Sequence, residues 1–313
     1  QTERETGIEL YKKGDYSGAS RILKKASKSH AADGSVWYYL GLSYLKQDNK
    51  KEALKALEKA VALDGKNADF HAGLAYLYLL RDEPFKAQKE AQASLDILPN
   101  NAEAHYIIGV VNYKNESFSG AYERAKKAIE LNPGFAPAYL LKSESLVNSF
   151  AIQLGTILKP QDTRKDFLNE AVADLEKYLS LSPANKKTEF YLEYLQSLKF
   201  FTEYYSRTEN QKPVNFDADT QIDTVKTPIK ILSRPQPQYT DSARQNNVSG
   251  TVRLLVGFSA DGTVKHVLVL KPLDYGLSEV AVRAARRITF EPPTKDGKPY
   301  SVVKQVTYTF TIY

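Results

Sequence analysis

Two of the four histidines, His71 and His105, stand 34 residues apart in a chain of 313, a spacing that raises the question of a metal. A zinc site needs three or four ligands converging at about 2 Å. No further ligand set is assigned in phase with these two, so the spacing predicts packing histidines. There is no Cys, which removes thiolate metal sites, structural disulfides and a lipidated N-terminal cysteine. The sequence has no G-x-x-x-x-G-K-[ST] phosphate loop, G-x-S-x-G nucleophile turn, H-E-x-x-H or EF-hand loop. No carboxylate pair is singled out by its surroundings. The expectation is a noncatalytic chain with no cofactor and no metal, whose chemistry is that of contact surfaces.

What would position such surfaces is a repeat. Gly7, Gly41, Ala75 and Gly109 are spaced by 34 residues, as are Ala19, Ala53, Ala87 and Ala121, and Ala26, Ala60, Ser94 and Ala128. Three small-residue positions kept in phase over four units point to stacked helix pairs, because small side chains there let helices and neighbouring units approach closely. Pro99 and Pro133 stop helices where the next unit begins. The second unit carries Trp37, Leu40, Gly41 and Tyr44 in a W-x2-L-G-x2-Y pattern, followed by Ala53, Leu57 and Ala60.

On these residues the first two thirds of the chain resemble the tetratricopeptide repeat (TPR) family, which implies an α solenoid of helix-turn-helix units. The resemblance also implies that a second stripe on each unit's first helix lines a concave groove. Its members here are Tyr11, then Tyr38, Leu42 and Leu45, then Tyr76 and Leu79, then Tyr106, Val110 and Tyr113. A groove of Tyr and aliphatic side chains suits an extended or helical peptide. The alternative is that the linker or the neighbouring domain fills it. The Lys and Asn set with which some family members clamp a C-terminal carboxylate is not recognisable.

The fifth unit starts near Ala136, and the small residue due at position 155 reappears as Ala171, an insertion of 16 residues that includes Gly155 and Pro160. A longer first helix and a loop are expected, then a second helix over 163–182 with Ala171, Leu175 and Tyr178 in register. A further helix over 186–206, with Phe190, Leu192, Leu195, Leu198 and Phe201 inward, reads as the terminal cap that such arrays require.

From Arg207 to Thr227 the periodicity gives way to Asn, Gln, Asp, Thr and Pro, read as an extended linker. Beyond it Val252, Leu254, Val256 and Phe258 alternate with other residues, and Asp261-Gly262 supplies a hairpin turn before a second β-rich run, Thr263 to Leu270. Leu277 to Ile288 reads as helix, and Val302 to Ile312 alternates again after Asp296-Gly297. This order gives a small α+β domain with an antiparallel sheet and helices on one face. The runs Pro237-Gln238-Tyr239, Gly250-Thr251-Val252, Asp261-Gly262-Thr263-Val264, Phe290-Glu291-Pro292 and Asp296-Gly297-Lys298-Pro299 resemble the C-terminal domain of TonB-family energy transducers. Thr240 stands where that family usually has Pro.

The second resemblance implies recognition by strand addition, in which a partner's extended segment joins an available sheet edge. The candidate edge is the terminal strand, with Val306, Thr307, Tyr308, Thr309 and Phe310 in it. Pairing with another copy, shielding by the linker, or blunting by Lys304 are the competing uses of that edge.

Residues 229–313 hold 12 basic and 6 acidic side chains, so the net charge of +6 lies there. The basic residues are scattered, densest at Arg283, Arg286 and Arg287, which reads as a solvated helix face and not as a nucleic-acid surface. The composition, 42% hydrophobic and 26% charged, is that of a folded chain, and no window approaches the ~18 apolar residues of a membrane span. The expected domains are a TPR array over 1–207, a linker over 208–227 and a TonB C-terminal-like domain over 228–313. An opening at Gln1 without Met fits a processed precursor. The chain is therefore expected in the periplasm or cell envelope after loss of a signal peptide, or outside the cell.

The leading functional expectation is a noncatalytic adaptor linked to transport, holding one protein in its groove and an extended strand of another on its sheet. Partners of that kind are TonB-dependent outer-membrane receptors, transducer components or copies of itself. The alternatives are a scaffold that self-associates into an oligomer or extracellular assembly, and a membrane-anchored transducer trimmed of an anchor before Gln1.

Overall fold

The computed structural model describes residues 2–154, 164–182, 184, 187–206 and 226–312. Gly155 and Pro160 of the insertion, and the expected linker up to residue 225, lie outside the described residues. Four helix pairs open the chain: α1 (Glu3–Lys12) with α2 (Tyr16–Ser29), α3 (Gly34–Lys46) with α4 (Lys50–Leu63), α5 (Ala68–Leu80) with α6 (Pro84–Ile97), and α7 (Ala102–Lys114) with α8 (Phe118–Leu131). Asp33, Asn67 and Asn101, 34 residues apart, cap α3, α5 and α7 by accepting backbone N–H bonds. The turn inside each pair takes positive φ at Gly14, Asp48, Asp82 and Glu116, a conformation that only glycine adopts without strain.

The small-residue positions sit where the helices touch. A Cβ on Gly7 would lie 2.6 Å from Leu23 Cγ, and one on Gly41 would lie 2.7 Å from Leu57 Cγ. The missing side chain is what lets a leucine of the second helix seat against the first. Ala19, Ala53, Ala87 and Ala121 are fully buried at the matching contact.

One polar contact also repeats through the array. Trp37 Nε1 donates to the Ala31 carbonyl at 2.9 Å, His71 Nε2 meets the Gly65 carbonyl at 3.1 Å, His105 Nε2 meets the Pro99 carbonyl at 3.0 Å, and Tyr139 Oη donates to the Pro133 carbonyl at 3.2 Å. Each ties the first helix of a unit to the turn before it. The two histidines therefore do the same packing work as Trp37. Their second ring nitrogens face Glu90 Oε2 at 2.7 Å and Arg124 Nη1 at 3.1 Å. Burial lowers the His105 pKa, with the Pro99 carbonyl opposing it and Arg124 and Lys127 adding to the effect.

Three longer helices follow, α9 (Ala136–Gln153), α10 (Arg164–Leu181) and α11 (Thr188–Ser206). The chain forms two compact units, Gln1–Lys142 and Ser143–Tyr313, so α11 shares its unit with the C-terminal sheet. Its buried stripe is Tyr191, Tyr194, Ser197, Leu198, Phe201 and Tyr205, while Leu192 is 48% exposed. Of the residues expected inward, Leu198 and Phe201 are fully buried, and Leu192 is the one corrected. The physical reason is that α11 meets a sheet, and the side chains facing it must also satisfy strand backbone.

The remaining elements are β1 (Lys226–Thr227), β2 (Lys230–Ser233), α12 (Asp241–Gln245), β3 (Gly250–Phe258), β4 (Val264–Lys271), α13 (Leu277–Ala285), β5 (Thr289–Glu291), β6 (Thr294–Lys295), β7 (Lys298–Pro299) and β8 (Val302–Phe310). The main antiparallel sheet has the order β4-β3-β8, with a β2-β5 pair and a β1-β6-β7 ribbon beside it. Asp296 and Gly297, both at positive φ, make the tight turn from β6 to β7 that the Asp-Gly pair announced. Successive residues Leu254 to Phe258 of β3 are all buried, so both faces of the sheet are covered. This corrects the expectation of helices on one face only: α11 serves the face that carries Gly257 and His266, where the ring of Phe200 lies.

Two stability predictions follow from these contacts. Gly41→Val drives a side chain into Leu57 and should destabilise the chain by about 1–3 kcal/mol in urea unfolding. Half-buried Glu144 on α9 has its carboxyl pushed up to about 7, chiefly by burial, with Lys187 opposing and Asp274 and Glu279 adding. A carboxyl raised in the folded state is neutral in both states below its ordinary value of 4.5, and it withdraws stability as the pH climbs through 7. Glu144→Gln should therefore raise stability by about 1–2 kcal/mol at pH 8 and leave it unchanged near pH 4, as thermal melts at the two pH values will register.

Candidate functional site

An antiparallel strand turns its peptide groups alternately toward and away from its neighbour. On β4, His266 and Leu268 stand opposite Gly257 and Leu255 of β3. The intervening Val267 and Val269 direct their peptide groups outward, and α11 meets them there. The Val267 N–H donates to Ser197 Oγ at 3.2 Å, and Tyr194 Oη donates to the Val269 carbonyl at 3.4 Å. The Phe200 ring stacks on His266 at 4.1 Å and 12°. Arg286 Nη1 pairs with Glu193 Oε2 at 2.6 Å, tying α11 to the end of α13. The β4 edge is thus covered by a helix, one of the standard ways of blunting a sheet edge.

The opposite edge is treated differently. Among the described residues β8 pairs with β3 alone. Arg234 Nη2 donates to the Thr307 carbonyl, and the guanidinium lies 4.8 Å over the Tyr308 ring. Because the Thr307 carbonyl points away from β3, alternation turns the peptide groups of Val303, Gln305 and Thr309 the same way. Of the five edge residues named from sequence, Val306, Tyr308 and Phe310 have buried side chains, and Thr307 and Thr309 are exposed. What the strand can offer a partner is therefore backbone with a threonine-lined margin.

The nine candidate groove residues all lie in the first compact unit, and none is buried. Tyr76 is the most open, 39% exposed. Tyr38 leans on the next unit, stacking on Phe70 at 4.9 Å and filling the space over Gly73. Tyr106 meets Phe135 edge-on at 5.1 Å, and Tyr113 meets Phe118 at 5.4 Å. Two acidic residues of this wall were missed from sequence. Asp69 and Glu103 stand 34 apart, one repeat period, and that spacing is the signal that finds them. Glu103 is reached by water yet enclosed by the concavity; burial raises its pKa, Asp69 adds to the rise and Lys46 opposes it. Burial also raises the phenols of Tyr11, to about 12, and of Tyr38 and Tyr76, and Glu103 contributes to all three. Glu103 thus lies within electrostatic reach of Tyr11, Tyr38 and Tyr76.

Among the described residues no group of three or more His, Cys, Asp or Glu could hold a metal ion, and no helix is long and apolar enough to cross a membrane. Fold and surfaces together define a helical repeat solenoid joined to a small sheet domain. The comparisons with known proteins make this particular. Residues 4–68 and 40–87 match the tetratricopeptide repeat model, and residues 235–312 match the model described as the Gram-negative bacterial TonB protein C-terminal. The chain is a TPR array fused to a TonB C-terminal domain.

Over 104 residues the chain is 31% identical to the type IV pilus assembly protein PilF of Pseudomonas aeruginosa, covering 33% of this chain and 41% of that protein. Over 107 residues it is 31% identical to the anaphase-promoting complex subunit CDC16 of Saccharomyces cerevisiae, covering 32% of this chain and 13% of that protein. The chain thus spans less than half the length of these curated relatives. A solved structure of Pseudomonas aeruginosa PilF aligns at 15% identity with a TM-score of 0.49, covering 67% of this chain and 93% of that one.

Removing both hydroxyls that α11 presents to β4, in the double variant Tyr194→Phe with Ser197→Ala, should cost about 1–3 kcal/mol in urea unfolding. The freed edge should also promote concentration-dependent association, read by sedimentation velocity.

Proposed function

We propose that this chain is a noncatalytic adaptor of the bacterial cell envelope, which binds one protein in the concave face of its repeat array and an extended strand of another along β8. The observation that carries this reading is the asymmetry of the sheet: α11 satisfies the outward backbone of β4, while β8 pairs with β3 alone among the described residues. The TonB C-terminal match supports an envelope setting and a strand from a TonB-dependent receptor or a transducer component as the β8 partner. The groove, with its tyrosines and its Asp69 and Glu103 carboxyls, suits a peptide segment that carries a basic side chain near the acidic pair. On this reading Arg234 is a latch that the incoming strand displaces from the Thr307 carbonyl.

The test uses the full chain and a fluorescein-labelled ten-residue peptide of alternating Thr and Val, followed by fluorescence anisotropy. Arg234→Ala should tighten binding about three- to tenfold by removing the competing donor. Thr307→Pro removes an outward-facing N–H and leaves the bonds to β3 in place, so it should abolish peptide binding without unfolding the domain. Peptide affinity indifferent to both substitutions would reject strand docking on β8. A chain that self-associates through β8 in sedimentation and takes no peptide would favour the scaffold alternative.

A further inference from the structure

A cavity of about 570 Å³ opens where α11 ends against the sheet, beside the first residues of β8. That volume falls within the range of clefts that hold small organic groups. Its lining joins the rings of Phe200 and Tyr204 from α11 to Val302 and Val303 of β8 and Gly257 of β3, with Ser259 and Ser301 as hydroxyl-bearing members. Glu203 and Lys265 stand among its lining residues as the charged members, and Lys265 is already paired with Asp261 at 2.5 Å.

The register of the sheet ties this cavity to the β8 edge. Val303 stands opposite Gly257, and Gly257 opposite His266, so the three form one row across the sheet and share a face. That face is the one on which Phe200 lies, stacked on His266 and 3.2 Å from where a Cβ of Gly257 would stand. Val303 is also one of the residues whose peptide group points away from β3. A strand added to β8 would place the residue across from Val303 as the fourth member of the row, with its side chain directed to the same face. There it meets the cavity. A planar ring suits the space, because the walls offer ring faces and edges in Phe200 and Tyr204, and aromatic pairs gain beyond their buried area.

Resting on the strand-docking reading, we propose that this cavity is a socket for one aromatic side chain of the docked strand, the residue opposite Val303, and that it sets which strands bind. The Gly257 position, by lacking a side chain, lets the Phe200 ring lie on the sheet as one wall of the socket. Selectivity then comes from one ring in one register, while the backbone pairing along the rest of β8 is indifferent to sequence.

The experiment has two arms on the full chain. In the first, labelled ten-residue Thr/Val peptides carry Trp, Tyr or Ala at each position in turn. The expected result is a single position at which Trp or Tyr binds about tenfold or more tighter than Ala. That preference should be lost in Tyr204→Ala, which removes a ring from the socket wall, with the affinity of the all-aliphatic peptide unchanged. In the second arm, indole and p-cresol are offered alone and followed by saturation-transfer NMR, which does not depend on β8 pairing. Both should bind the unaltered chain and be displaced by the Trp peptide. Peptides that bind wild type equally well with Trp, Tyr or Ala would overturn the socket and leave strand docking standing. Failure of every peptide to bind would overturn both. Ring probes that bind only after residues 210–222 are deleted would show the socket to be filled by the chain itself, and would overturn the proposal.

Discussion

A three-stranded sheet has two edges, and the peptide groups along each must be paired, covered or hydrated. In the second compact unit this constraint organises almost everything. Tyr194 and Ser197 must face β4 to reach the Val269 carbonyl and the Val267 N–H, which fixes the rotation of α11 about its axis and turns Leu192 to water. The ion pairs of Glu193 with Arg286 and of Lys187 with Glu279 hold the helix from the α13 side. Exposed pairs of this kind add little stability, so their role is orientation. Gly257 then allows Phe200 to lie flat on the sheet. The same helix that ends the series of repeat-like helices is therefore the cover of the sheet's first edge, and the second edge is left to β8.

The first compact unit solves a different problem, the stacking of helix pairs that cannot bury their apolar stripes alone. Small residues at Gly7 and Gly41 receive Leu23 and Leu57. Trp37, His71, His105 and Tyr139 each bond a carbonyl of the preceding turn. Three kinds of side chain perform one task at these four positions because each offers a ring that fills the space and an N–H or O–H that reaches the carbonyl. With the interior satisfied in this way, Tyr11, Tyr38, Tyr76 and Tyr106 stay outside the core, and Glu103 lies within electrostatic reach of the first three. A group in a concavity can touch water and still lose much of its hydration, which is why the Glu103 carboxyl is raised.

Much of this was legible in the residues. The 34-residue phase gave the helix pairs, and the Asp-Gly turns with alternating Val, Leu and Thr gave the strands, because both depend on local spacing. The equivalence of the two histidines was legible in their spacing, and both meet the carbonyl of the preceding turn. The inward face of α11 was legible only in part, at Leu198 and Phe201, since its apolar spacing admits more than one stripe and the choice against Leu192 was made by strand backbone distant in sequence. For the same reason the covering of both sheet faces was missed. Asp69 and Glu103 were overlooked although their spacing is in phase, because charged residues at helix starts are ordinarily read as capping or solvated positions. The Arg234 contact with Thr307 joins residues 73 apart, and no local pattern announces it.

The account stands on the claim that the two sheet edges differ, one satisfied by α11 and one, β8, paired with β3 alone among the described residues. Amide hydrogen exchange measured residue by residue on the free, full chain tests it most directly. The outward-facing amides of Val303, Gln305, Thr307 and Thr309 should exchange at least about tenfold faster than that of Val267 beneath Ser197 and those of Val252, Leu254 and Val256 within the sheet. Protection of the β8 amides equal to that of Val267 would contradict it, since the edge would then already be occupied.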